Sequence, residues 1–175
     1  MIVVYINSMA DTDNFKVVYK DLDCKLLYNP KKKDVEKVLR NNPKEKVLLF
    51  GHGTRCGLFN VNWSDYIIDA TNVHLLKDRE IIGIWCYAKE FALKHNLKGF
   101  FTDMFISNSN ESEYSGCGGN DEEDIFNQNE LFAERINELI ITDTPMSEWV
   151  GILNEKADKS LNFVEYNYSR LEYFE

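Results

Sequence analysis

Two short apolar runs in this sequence each stop at a side chain capable of catalysis. Residues 47–50 are Val-Leu-Leu-Phe and lead to Gly51, His52 and Gly53, whereas residues 81–85 are Ile-Ile-Gly-Ile-Trp and lead to Cys86. Bounded apolar runs of this length predict strands buried on both faces, as in a parallel sheet flanked by helices. In such sheets, functional residues collect just beyond the carboxyl ends of the strands. A histidine and a cysteine at two such ends provide a thiol nucleophile and its general base.

The rest of the chain continues the alternation of strands and helices. We predict strands over residues 2–6, 46–50, 81–85 and 99–106. Helices are predicted after Asn29-Pro30, over residues 69–78 and 87–96, and in two amphipathic segments, of which the second is opened by Thr144-Pro145. This order predicts an α/β fold with a mostly parallel sheet and right-handed crossovers. A chain of 175 residues is expected to form one domain, residues 1–175.

Three segments carry weaker signals. Residues 15–19 and 24–28 are rich in β-forming side chains and predict a hairpin around Asp21-Leu22-Asp23. Residues 107–124 have no apolar periodicity, so we expect a long polar loop that flanks the substrate groove. The tyrosine-rich tail, residues 161–174, fits either a strand or a helix.

Charge and cysteine usage limit the classes of partner and compartment. A net charge of −9 argues against nucleic-acid binding, which requires a basic surface to meet phosphates. Four cysteines without paired spacing, together with the lack of a signal peptide or a long apolar segment, predict a cytoplasmic protein that does not bind membranes.

Neighbouring strands would bring His52 and Cys86 into reach of each other. Strand axes in a sheet lie about 4.8 Å apart, so residues just beyond two adjacent carboxyl ends can share a hydrogen bond. A neutral imidazole would accept the thiol proton, and a helix directly after Cys86 would favour the thiolate. The amides of Gly53 and Cys86 could then face a tetrahedral oxyanion.

This arrangement resembles the caspase-like cysteine peptidases, which include caspases, gingipains, clostripain, legumain, separase and CHAT domains. The resemblance covers residues 46–106 and rests on a strand that ends in His-Gly and a second strand that ends in Cys before a helix. It implies a three-layer α/β/α sandwich, with His52 as the general base, Cys86 as the nucleophile, and Gly53 with Cys86 as the oxyanion hole. The caspase signature Gln-Ala-Cys-x-Gly is absent, and Trp85 stands where many relatives have a small residue.

The resemblance implies cleavage of peptide bonds through an acyl-enzyme, so the expected partners are a peptide or protein substrate and a regulatory protein, with no cofactor. It leaves two candidates for recognition of the residue before the scissile bond (P1). Asp103 would receive an Arg or Lys side chain, and Arg55 would receive an acidic one. Each is also explained as an ordinary surface charge. The alternative function is a non-catalytic interaction module that keeps the fold without turnover.

Other readings of the same residues have less support. A zinc site formed by His52, Cys56 and Cys86 lacks a closely spaced Cys-x-x-Cys pair, so we predict no metal. The glycines of residues 116–119 do not lie between a strand and a helix, as a nucleotide-binding fingerprint requires. Among the cysteines, we expect Cys86 alone to be essential, Cys117 to be exposed and Cys24 to lie in the core.

Overall fold

Strands and helices alternate through most of the chain. The computed structural model describes residues 1–8 and 10–175, except for the side chains of residues 10–12 and 14. The strands in this part of the chain are β1 (Ile2–Tyr5), β2 (Lys25–Tyr28), β3 (Val47–Phe50), β4 (Gly53–Thr54), β5 (Gly57–Phe59), β6 (Tyr66–Asp69), β7 (Glu80–Ile84), β8 (Lys98–Phe101) and β9 (Glu172–Phe174). The α-helices are α1 (Lys32–Asn41), α2 (Ala88–His95), α3 (Ser109–Tyr114), α4 (Glu122–Ile141), α5 (Met146–Lys156) and α6 (Asn162–Tyr168), and two 3-10 helices span Ala10–Tyr19 and Val73–Leu76.

The central sheet has six strands in the order β2-β1-β3-β7-β8-β9. The first five are parallel, and β9 runs antiparallel to β8. The predicted α/β fold with a mostly parallel sheet is therefore confirmed. Strands β3 and β7 are direct neighbours, and Phe50 lies opposite Ile84 at their carboxyl ends.

Helices cover both faces of this sheet because alternate side chains of each buried strand point to opposite sides. Val3, Leu48 and Ile82 belong to a core cluster that includes residues of α4, α5 and α6. Val4 and Leu49 belong to a second cluster with residues of α1 and α2. The predicted helices over 87–96 and after Thr144-Pro145 are confirmed as α2 and α5. In residues 1–8 and 10–175, no helix combines the length and apolar character needed to cross a membrane.

The predicted hairpin over residues 15–28 is wrong. Residues 15–19 belong to the 3-10 helix Ala10–Tyr19, and β2 pairs with β1 in parallel. Phe15 and Val18 are buried whereas Lys16 between them is exposed. Residues three apart lie on the same side of a 3-10 helix, so this spacing directs both apolar side chains into the core.

The segments around the sheet also differ from the sequence prediction. Strand β8 ends at Phe101 and not at residue 106. The predicted loop over residues 107–124 contains α3 and the start of α4. Within the helix predicted over residues 69–78, only the 3-10 turn Val73–Leu76 is helical, and Asp69 is the last residue of β6. Between β3 and β7, the chain forms a small antiparallel sheet of β4, β5 and β6. The tail combines both possibilities, since α6 precedes β9.

Candidate active site

A cavity of about 30 Å³ lies at the carboxyl ends of β3 and β7 and is lined by both His52 and Cys86. The two residues meet there because their strands are parallel neighbours whose last residues are in register. The Gly51 amide donates a hydrogen bond of 3.2 Å to the Ile84 carbonyl, which joins the two strand ends directly. The other described residues that line the cavity are Phe15, Gly51, Ile84, Trp85, Phe105 and Ser107.

Cys86 lies in a tight turn between β7 and α2. The turn is closed by a hydrogen bond of 3.1 Å from the Ala88 amide to the Trp85 carbonyl, and Tyr87 has a φ of 66°. Positive φ is uncommon outside glycine, so the turn is a strained feature of this strand-to-helix junction. Cys86 is half-buried, and its Sγ donates to the Phe105 carbonyl oxygen at 3.7 Å.

Thr102 fixes the strand end that carries Cys86. Its hydroxyl accepts a hydrogen bond of 3.1 Å from the Trp85 amide and donates one of 3.0 Å to the Trp85 carbonyl. The Thr102 carbonyl in turn accepts from the Lys89 amide at 2.8 Å, at the start of α2. Thr102 is fully buried, so these bonds are shielded from competing water. This residue therefore ties β7, β8 and α2 together beside the thiol.

His52 is held by the backbone on both sides and by an aromatic neighbour. Gly51 has a φ of 146°, and a Cβ at this position would lie 2.7 Å from the Ile6 carbonyl oxygen. Glycine is thus required for the turn that directs His52 into the cavity. The His52 carbonyl accepts from the Phe59 amide at 2.9 Å, and its imidazole lies 4.7 Å from the Trp63 ring centroid. Only 8% of His52 is exposed.

Trp63 belongs to a loop built around Asn60. The Asn60 Oδ1 accepts hydrogen bonds of 3.1 Å from the amides of Asn62 and Ser64, and Trp63 between them has a φ of 58°. A bulky residue in this conformation is an outlier, and the surrounding turn must stabilise it. The Trp63 ring also stacks on Phe59 at 5.6 Å. The loop thereby places a half-exposed indole against the imidazole of the site.

Gly53 follows His52 and lies beneath the Trp85 indole. A Cβ on Gly53 would come within 2.9 Å of the Trp85 Cγ, so the large residue before Cys86 is accommodated by a glycine. The Trp85 Nε1 donates to the Thr54 carbonyl at 3.2 Å. In the antiparallel β4–β5 pair, residues opposite each other alternate between pairs that exchange backbone hydrogen bonds and pairs that do not. The Phe59 amide donates to the His52 carbonyl, so His52 and Phe59 form a hydrogen-bonded pair. The next pair, Gly53 and Leu58, is therefore of the non-hydrogen-bonded type. The Gly53 N–H therefore points away from β5.

The two charged residues predicted to bind substrate lie outside this cavity lining. Arg55 pairs with Glu90 at 3.5 Å, and its guanidinium lies 5.4 Å from the Tyr87 ring centroid. Asp103 pairs with Lys89 at 3.2 Å. Burial raises the pKa of the Tyr87 phenol, with a further contribution from the neighbouring Cys86.

The burial of Cys117 and Cys24 differs from the sequence prediction. Cys117 is buried and not exposed, because Ser112, Gly118 and Asn120 form a hydrogen-bonded turn around it. Burial raises the pKa of the Cys117 thiol. Cys24 is only half-buried, whereas Cys56 is exposed. Among the residues that the structure describes, no group of three or more His, Cys, Asp or Glu side chains is arranged to hold a metal ion.

In comparisons with known proteins, no family model matches the sequence and no curated protein is significantly similar to it. Function must therefore be inferred from the residues around the cavity. Sequence reasoning missed Thr102 and Trp63. The first polar residue after the apolar residues 99–101 is Thr102, which is a usable signal, but a turn motif around Asn60 predicts a loop and not the stacking of Trp63 on His52.

Proposed function

We propose that this protein is a cysteine peptidase with Cys86 as nucleophile and His52 as general base. The observation that carries the proposal is the single cavity that both residues line, at the carboxyl ends of two adjacent parallel strands. A mostly parallel sheet with helices on both faces is compatible with a three-layer, caspase-like sandwich, and the proposal includes that fold.

The reaction begins when the His52 imidazole accepts the proton of the Cys86 thiol. The thiolate attacks the peptide carbonyl carbon, forming an S–C bond and a tetrahedral oxyanion. The C–N bond then breaks as the imidazolium gives its proton to the leaving amine, which leaves a thioester. Water, deprotonated by His52, attacks the thioester and releases the acid and the Cys86 thiol.

Backbone N–H groups of Gly53 and Cys86 are the proposed donors to the oxyanion. The orientation of Gly53 supports this role, because its N–H points away from the β4–β5 ladder. The bonds from Thr102 to Trp85 support the role of Cys86, because they fix the residue directly before it. Donors that are held in place before the reaction lose no free energy to reorganisation when charge develops.

A non-catalytic interaction module is the second candidate, and one contact favours it. The Cys86 Sγ donates to the Phe105 carbonyl, and only the protonated thiol can make this bond. The bond therefore opposes thiolate formation in the resting site. A sulfur–oxygen contact of 3.7 Å is a weak hydrogen bond, so a bound substrate that competes for the thiol can displace it.

Labelling with a peptide acyloxymethyl ketone distinguishes the two functions. The thiolate displaces the acyloxy group and forms a thioether, which peptide mapping locates. For a peptidase, Cys86 is labelled rapidly at neutral pH, and a positional-scanning peptide library is cleaved. Both activities are lost in Cys86→Ala and His52→Ala and are retained in the matched controls Cys56→Ala and His74→Ala. If the unaltered protein neither labels at Cys86 nor cleaves the library, the peptidase proposal is wrong and the interaction module is favoured.

A further inference from the structure

Part of the wall of the cavity that His52 and Cys86 share consists of apolar side chains. Phe15, Ile84 and Phe105 line it, and no more than 5% of any of them is exposed. The rings of Phe15 and Phe105 meet edge to face at 5.9 Å, and Phe105 lies 4.9 Å from Phe132 in the core. The wall is therefore part of the packed interior and cannot easily move aside.

The size of the cavity limits what it can accept. A volume of about 30 Å³ is about two to three times the roughly 10–15 Å³ that a cavity needs to hold one water molecule. A methyl or isopropyl group is of suitable size, whereas a longer side chain must displace the aromatic wall. A charged group would lose its hydration against these rings, which is strongly unfavourable unless a paired charge compensates it.

The two charged residues that the sequence predicted to bind substrate already have partners. Arg55 pairs with Glu90, and Asp103 pairs with Lys89. Neither Arg55 nor Asp103 is among the described residues that line the cavity. For Arg55 or Asp103 to recognise a charged side chain in this cavity, its ion pair would have to break and the residue would have to move.

We propose that the cavity is the P1 subsite and that it selects a small apolar side chain, Ala or Val. The inference rests on the proposed peptidase function. The carbonyl carbon attacked by the Cys86 Sγ lies at the mouth of the cavity, and the P1 side chain branches from the next atom of the acyl part. Phe15, Ile84 and Phe105 are then the residues that determine specificity.

The test is a set of tripeptide acyloxymethyl ketones that differ only at P1, with Ala, Val, Leu, Asp or Arg. The measured quantity is the second-order rate of Cys86 labelling, followed by intact mass and peptide mapping. We expect Ala or Val to label about 10- to 200-fold faster than Leu, and the two charged probes to label more slowly still.

A variant that enlarges the subsite provides a second test. In Phe105→Leu, the labelling rate of the Leu probe relative to the Ala probe should rise at least about tenfold. The matched control is Phe163→Leu, since Phe163 is also buried in the same core cluster but does not line the cavity. The control should keep the original preference.

The outcomes separate this inference from the proposed function. Fastest labelling by the Arg or Asp probe, or equal rates for all probes, overturns the small apolar subsite and leaves the peptidase function in place. An unchanged preference in Phe105→Leu also overturns the assignment of the subsite. If no probe labels Cys86, the peptidase function fails and the subsite fails with it.

Discussion

Replacing Thr102 with valine should destabilise the protein through the backbone amide and carbonyl of Trp85. Valine keeps the shape of threonine but removes the hydroxyl that bonds both the amide and the carbonyl of Trp85. The carbonyl keeps its second bond, from the Ala88 amide at 3.1 Å. The Trp85 amide has no such replacement within this turn and would be left unpaired in a fully buried site.

The expected loss of stability is the sum of the contributions of the Trp85 amide and the Trp85 carbonyl. An unpaired buried amide costs about 1–3 kcal/mol, and loss of one of the carbonyl's two hydrogen bonds costs about 1 kcal/mol. The free energy of unfolding should therefore fall by about 2–4 kcal/mol. Since Cys86 directly follows Trp85, the rate of Cys86 labelling should fall as well.

Thr102→Ser is the matched control because it keeps the hydroxyl and removes one methyl group, at a cost of about 1 kcal/mol. Urea unfolding at pH 7 measures both variants, and the slope of free energy against urea should not change. If the valine and serine variants have the same free energy of unfolding, the hydroxyl bonds contribute no net stability and the reasoning is refuted.

Three further predictions concern other parts of the molecule. If His52 is the general base that we propose, removing the Trp63 indole (Trp63→Ala) should lower kcat more than it raises KM, because the indole packs against the His52 imidazole and orients it. Trp63→Phe should restore most of the loss, and a selective rise in KM would contradict this role. Iodoacetamide should alkylate the exposed Cys56 faster than Cys117, whose burial raises its pKa; mass mapping over time would reveal the opposite order. Burial acts to raise the pKa of Asp69, but hydrogen bonds led by that from Lys32 outweigh it and lower the pKa. The ion pair therefore stabilises the fold above the unfolded pKa of about 4, and this stabilisation is lost as the pH falls. Asp69→Asn should be less stable than the unaltered protein by about 1 kcal/mol at pH 7, and a difference that does not shrink towards pH 3 would exclude the ion pair as its cause.

Sequence reasoning succeeded where hydrophobic periodicity was strong. The apolar runs that became β1, β3 and β7 are buried along almost their whole length, so composition alone identifies them. The helix predicted after Asn29-Pro30 is likewise confirmed as α1, whose Val35, Val38 and Leu39 are buried at helical spacing. The sequence prediction was wrong over residues 15–19, where β-forming side chains occur at the spacing of a 3-10 helix. There, packing against α4 outweighs intrinsic β propensity.

Some features of the candidate site can likewise be predicted from the sequence, whereas others depend on the tertiary structure. The order of the strands along the chain and the positions of His52 and Cys86 at strand ends follow from the sequence, because a buried strand needs a continuous apolar run. Which strands are neighbours, and that their ends are in register, depends on the assembled sheet. Contacts between residues far apart in the chain depend on it in the same way, including those of Thr102 with Trp85 and of Trp63 with His52.

The sequence by itself determined that this chain forms buried parallel strands, with a histidine and a cysteine at two carboxyl ends. Only the tertiary structure decided that these residues share one small cavity with an apolar wall of Phe15 and Phe105. It also placed Arg55 and Asp103 in ion pairs outside that wall. The physical reason is that periodicity records which side of an element is buried, whereas the shape and polarity of a cavity depend on which distant elements pack together.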